Sequence, residues 1–262
     1  MKHLTTLAAM AAVLGGCANG YAEFYQPNTS PGVAQDAILF AGVPQVRAST
    51  GDARQDIDIM YTDGYGAVGA ATFNGPMNNI GGAIAQAKKV GASVVVANRR
   101  YTDTLSGVLP LTMPTSQTSY SNGTVNAYGS GGFATGTYSG TTTTYGSETT
   151  YMPYSVARYD QQAIFFAPIK RVGVGIIPRA LTEAEAQALG TRRAVVIRAV
   201  RRGSPAYNAD ILPGDIIRSV NGASVGDYDE YRANFHRGAV NHFVLVRAGQ
   251  TLEKDVNVPD PW

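Results

Sequence analysis

The stretch GSPAYNADILPGDIIRSVNG, residues 203–222, decides how the C-terminal third of this 262-residue chain is read. Ser204 followed by Pro205 puts a side-chain acceptor at an N-cap and a φ-locked residue at the first helical position. The spacing therefore predicts a short helix to about Ala209. Leu212-Pro213-Gly214-Asp215 ends it, with proline at the second and glycine at the third position of a type II turn, where φ must be positive. A strand, Ile216–Val220, follows, and Asn221-Gly222 is a two-residue hairpin signal. Singly these are the turns of any mixed domain. The combination, with an apolar residue at every inward step, is more specific.

It resembles the G-S-P-A…A-G-L-x-P-G-D-x-I-x-x-V-N-G signature of PDZ domains, in the form found at the C-termini of HtrA/DegP-type envelope serine proteases. Asp210 stands where that family usually has glycine. The resemblance covers residues 172–258: VGVGIIPRALTEAEAQALG (172–190) is similar to the family's carboxylate-binding loop, first strand and inserted helix. That helix also follows from local chemistry, since Thr182 with Glu185 is a capping box and Gly190 a stop. Downstream, Asp227 with Glu230 forms a second capping pair. It opens a helix over YDEYRANFHR that ends at Gly238, before the strands HFVLVRAG and LEKDVNVP.

The resemblance implies a site in which an extended ligand adds to a sheet edge while loop N–H groups hold its terminal carboxylate. The loop is Gly173-Val174-Gly175-Ile176; Ile176 lines the pocket for the last ligand side chain, with Ile177 next on the strand. Phe235 and Tyr228 or Tyr231 form the facing helix wall; four and seven apart, they share one face. Tyr231 serves equally well as core. These large aromatics imply small or slim C-terminal ligand residues. Pro178 departs from the pattern, because it has no N–H where a ligand strand pairs; it implies either a different strand register or weak peptide affinity.

At the other end, Lys2 and His3 precede the apolar run Leu4–Leu14, and LGGC closes it at Cys17, the chain's single cysteine. The pattern resembles the lipobox of bacterial lipoproteins. That implies a signal peptide over residues 1–17, acylation of Cys17 and a membrane anchor of two or three chains. Ala18 after the cysteine implies sorting to the outer membrane by the enterobacterial rule. No later stretch approaches the roughly 20 apolar residues of a spanning helix. The net charge of +2 gives no ground for a nucleic-acid partner. Lys and Arg do cluster between Lys170 and Arg202: they either converge to steer an acidic ligand or are ordinary solvated charges.

Residues 18–35 read as a polar tether. Residues 36–169 alternate element types and read as a small α/β domain: a strand over AILFAGVPQV, a helix over DARQDIDIMYTDG, a strand over YGAVGAATF, a helix over MNNIGGAIAQAKKVG and a strand over ASVVVANRRYTDT. Within it, residues 106–157 are rich in Thr, Ser, Tyr and Gly, with Glu148 the only charge. Recurring tyrosines and the flanking LTMP and YMPY predict a long β-hairpin arm, its base pairing 93–104 with 156–167. Such an arm suits self-association, glycan stacking or a partner; a mobile spacer is the other reading.

A protease half like that of the HtrA family needs a histidine base. The histidines past Cys17 are His236 and His242, both inside the PDZ-like segment, and no G-x-S-x-G occurs. Two histidines six apart make a poor metal site. The acidic residues Asp52, Asp56, Asp58, Asp63 and Asp103 suggest no catalytic pair. The sequence thus reads as an α+β, non-enzymatic envelope lipoprotein without cofactor or metal. Its C-terminal PDZ-like barrel or sandwich with two helices (170–262) would bind protein C-termini or exposed peptide segments. The alternative is a structural or surface protein that works through the arm.

Overall fold

The computed structural model describes residues 19–170 and 173–259. The signal-peptide and Cys17 lipidation expectations lie outside the described residues, as does Arg171.

In the N-terminal part, β1 (Tyr25–Pro27), β2 (Gln45–Ala48), β3 (Tyr65–Pro76), β4 (Val94–Gly129) and β5 (Gly132–Pro168) form one sheet in the order β1-β3-β5-β4-β2. β2 runs parallel to β4, and β1 antiparallel to β3. Four helices accompany it: α1 (Gly20–Glu23), α2 (Pro31–Ala34), α3 (Ala53–Thr62) and α4 (Ile80–Val90). The Asp52 carboxylate caps α3 by accepting from Arg54 N at 2.7 Å. Asn79 caps α4, which ends at Gly91 with φ +71°, the left-handed position that glycine tolerates.

Alternation along β5 gives the sheet two cores. Ala163 and Phe165 pack with Ala83 and Ala87 of α4, whereas Ile164 and Phe166 pack with Met60 of α3.

Two expectations are corrected here. Residues 18–35 are folded from Asn19 onward rather than a tether. Tyr21 is buried with its ring edge-on to Phe73 at 5.1 Å, Phe24 stacks on Phe73 at 5.6 Å, and Tyr25 meets Phe165 at 5.5 Å, so three aromatic contacts outweigh a polar composition. The strand read over AILFAGVPQV is confined to Gln45–Ala48; Gly42 and Pro44 interrupt the ladder, and Leu39 and Val43 are exposed.

β4 and β5 continue together as a two-stranded ribbon, Thr102–Arg158, closed by Ser130-Gly131. Its register is set by hydroxyl pairs directly opposite each other: Ser106 with Ser155, Thr112 with Thr149 at 2.8 Å, and Thr118 with Thr143 at 3.2 Å. Tyr154 lies over Gly107 and Tyr138 over Gly123; a Cβ at either glycine would meet the tyrosine side chain at 2.6 Å. The long hairpin and its base are therefore present, and the ribbon's side chains are exposed almost throughout.

The C-terminal part has β6 (Ile176–Ala180), α5 (Glu183–Leu189), β7 (Val195–Val200), α6 (Pro205–Asn208), β8 (Ile216–Val220), β9 (Ala223–Ser224), α7 (Tyr228–Ala233), β10 (Ala239–Arg247) and β11 (Gln250–Val258). The strand order is β11-β10-β8-β7-β6, with β9 on β8, which leaves β6 at an edge. Ile197, Ile211, Ile217, Phe243 and Leu245 fill the core. The chain is α+β, mostly sheet with few helices, and this part is a PDZ-like sandwich rather than a closed barrel.

The opening stretch folds as its turn chemistry dictates. Ser204 Oγ accepts from Tyr207 N, Gly214 has φ +94°, and Asn221 and Gly222 both have positive φ, as a type I′ turn requires. The buried Asp215 carboxylate accepts from Leu212 N at 2.9 Å and from Arg247 through two bonds of 2.7 and 2.9 Å, so the turn is tied to β10. Asp210 has φ +57°, which explains the family's glycine; its carboxylate is held at 3.2 Å by Lys254 and 3.3 Å by Arg247.

Candidate peptide-binding groove

The groove begins at the glycine loop ahead of β6. Gly173 and Gly175 have φ +52° and +84°, conformations that let the loop turn tightly. Val174 is buried in the core, and its C=O accepts from Ala206 N at 3.0 Å, while the Gly175 C=O accepts from Arg201 N at 2.9 Å. In a trans peptide the C=O and the next N–H point in opposite directions. The N–H groups of Gly175 and Ile176 therefore point away from α6 and β7. They are two donors at the rim of a cavity of about 970 Å³.

Ile176, Tyr228, Tyr231 and Phe235 line that cavity together with Gly173, Val174 and Gly175. Ile177 does not: as the next residue on a strand it points to the opposite face, opposite Ala199 of β7.

The aromatic wall departs from a single helix face. α7 ends at Ala233, so Phe235 lies beyond it rather than two turns along from Tyr228. The buried Asn241 amide makes the difference, accepting from His236 N at 2.8 Å and donating to His236 O at 2.7 Å. Those bonds hold the chain after Asn234 in a loop. Tyr231 is mostly core: it is 7% exposed, 6.4 Å ring-to-ring from both Phe235 and Phe243, and burial pushes its phenol far above the usual range. The exposed Tyr228 ring forms the open part of the wall, 6.2 Å from Tyr231.

Pro178 sits at a register shift in the β6–β7 ladder, between Ile177 and Pro178. At Pro178 the edge has no N–H to give.

Among the described residues, the arginines from Arg179 to Arg202 are each engaged by a partner rather than gathered into an anion-steering patch. Arg179 is bidentate to Glu185, Arg192 pairs with Glu183, Arg193 with Glu230, Arg198 with Asp58 and Arg202 with Asp63, and Arg201 donates to Ile169 O at 3.0 Å. Asp56 is equally committed, accepting from Thr50 N at 2.8 Å and from Ser49 Oγ. The exposed Arg232 and Arg237 line the cavity, as do Asp36 and Asp255. Among the described residues no three His, Cys, Asp or Glu side chains converge as metal ligands, and no helix is long and apolar enough to cross a membrane.

Sequence reasoning missed one wall of this cavity, the one contributed by Val33, Asp36 and Tyr61 of the N-terminal part. Nothing in the spacing around Tyr61 signals it, because the contact is 115 residues distant in sequence.

A loop with inward donors, a free strand edge and a facing helix define a PDZ fold, and residues 196–247 match the family described as PDZ domain. The C-terminal part of the chain therefore carries a PDZ domain. It is similar to solved structures of the HtrA-type protease AlgW with a decapeptide (24% identity, 37% of this chain and 36% of that one, TM-score 0.29). AlgW with a tripeptide matches at 24% identity over 37% of this chain and 39% of that one, TM-score 0.30. The HtrA3 PDZ domain bound to a phage-derived ligand, FGRWV, matches at 23% identity over 32% of this chain and 81% of that one, TM-score 0.29. The matched part spans little more than a third of each AlgW chain. No curated protein matches the chain. The matched family is a binding domain rather than a catalytic one.

Proposed function

We propose that the protein is a non-enzymatic, lipid-anchored envelope protein whose PDZ domain captures protein C-termini, as an adaptor or scaffold. The observation that carries this reading is the pair of Gly175 and Ile176 N–H groups turned toward a cavity lined by Ile176, Tyr228 and Phe235. The AlgW and HtrA3 structures with bound peptides are in keeping with it. Anchoring through Cys17, in the outer membrane, belongs to the same proposal and rests on the lipobox and on Ala18.

Two experiments test it. The full chain is screened against C-terminal peptides as free acids and as amides. Binding that needs the free acid and is lost in Ile176→Arg is the expected result; a folded protein that binds no free acid refutes the reading. Labelling of cells with a palmitate analogue is expected to mark the wild type and not Cys17→Ala.

A second reading assigns the ribbon to self-association. It is favoured by exposed aromatics such as Tyr120, Tyr128 and Tyr145 and by one charge, Glu148, between residues 106 and 157. Sedimentation of the full chain against a form lacking 115–150 tests it: an oligomer that becomes a monomer supports it, and unchanged mass counts against it.

A further inference from the structure

The PDZ groove is not built by the PDZ domain alone. α3 is fastened to β7 by Asp58–Arg198 at 2.8 Å, with both side chains less than a third exposed. At its C-terminal end Asp63 pairs with Arg202 at 3.0 Å, and Arg202 N donates to Thr62 O at 3.1 Å. These contacts hold Tyr61, one residue before Thr62, at the cavity. Burial pushes its phenol up to about 12, so it stays a neutral donor across the physiological range.

The Tyr61 hydroxyl donates to the C=O of Ile176 at 3.4 Å. Carbonyls alternate sides along a strand, and the Gly175 C=O is already bonded toward β7. The Ile176 C=O therefore faces the free edge of β6, the acceptor that an incoming strand's first N–H requires. Two residues on, Pro178 offers that strand no donor. The first edge acceptor that a ligand meets is thus the one that Tyr61 already occupies. The bond is long, at the weak end of the hydrogen-bond range, and so is readily exchanged.

We propose that Tyr61 gates the peptide groove: its hydroxyl competes with the ligand backbone for the Ile176 carbonyl, and its ring, as part of the cavity wall, restricts the site to slim C-terminal residues. The N-terminal part of the chain thereby sets both the affinity and the selectivity of the PDZ site. This rests on the peptide-binding reading above.

The test uses the full chain, wild type, Tyr61→Phe and Tyr61→Ala, with Ile176→Arg as control. Each is titrated with fluorescent decapeptides ending in Ala, Val, Leu or Phe, as free acids and as amides. Tyr61→Phe, which keeps the ring, is expected to bind free acids about three- to tenfold more tightly, the worth of one exchanged hydrogen bond. Tyr61→Ala is expected to shift preference from Ala and Val toward Leu and Phe. Free-acid binding by the wild type that Tyr61→Phe leaves unchanged or weakens overturns the gate while the peptide-binding reading stands. Absence of free-acid binding in every variant overturns both.

Discussion

β5 is one strand with two environments. From Ala163 to Ala167 its side chains are at most 4% exposed and fill cores on both faces of a sheet; from Gly132 to Tyr154 every one is exposed. The buried part is specified by burial: AIFFA has strand-length apolar continuity and helices on either side of it. The exposed part has no core to select its register, and opposed hydroxyls, tyrosines over glycines and a two-residue turn do the selecting instead. The contrast teaches that equal lengths of ladder hold very unequal shares of stability.

Truncation in the two parts should show this first. Phe165→Ala is expected to cost about 3–5 kcal/mol of unfolding free energy, and Tyr145→Ala on the ribbon no more than about 0.5 kcal/mol. Denaturant titration checks both, and comparable losses would break the comparison. Within the PDZ part, Asp215→Ala leaves Arg247 and Leu212 N without their carboxylate. It is expected to cost about 3 kcal/mol, read as a thermal shift. Ala248 holds φ +49° in the β10–β11 turn, where Asn is tolerated better; Ala248→Asn is expected to stabilise by about 1 kcal/mol on denaturation. On the ribbon, Tyr154→Ala uncovers Gly107 and is expected to speed amide exchange around residues 105–109, with no change at 163–167.

The smallest effect is electrostatic. The Asp255 carboxylate, 2.8 Å from the His242 ring, holds that imidazole above its usual value. A raised folded-state value gives stability that is complete below the unfolded value of about 6.5 and is lost as pH rises through the folded one. His242→Gln should flatten that limb of the stability–pH curve.

The C-terminal turns were legible because each is local chemistry: Ser204-Pro205, Pro213-Gly214 and Asn221-Gly222 specify their own dihedrals. The glycine loop was legible through its resemblance to a known signature. What escaped depends on distant residues. The end of α7 is set by Asn241, the order of residues 19–27 by Phe73 and Phe165, and the third wall of the groove by Tyr61; no local pattern encodes any of these. The arginine-rich stretch left two readings open for the same reason, since the partners of Arg198 and Arg202, Asp58 and Asp63, lie more than 130 residues upstream.

The central claim is that the loop donors at Gly175 and Ile176 hold a terminal carboxylate. It is tested most directly by following those two backbone amides in the isotope-labelled full chain by NMR during titration with a C-terminal peptide and its amide. The account predicts saturable shifts at Gly175 and Ile176 with the free acid and none with the amide. Shifts that are the same for both peptides, or that fall on the ribbon and spare the loop, would contradict it.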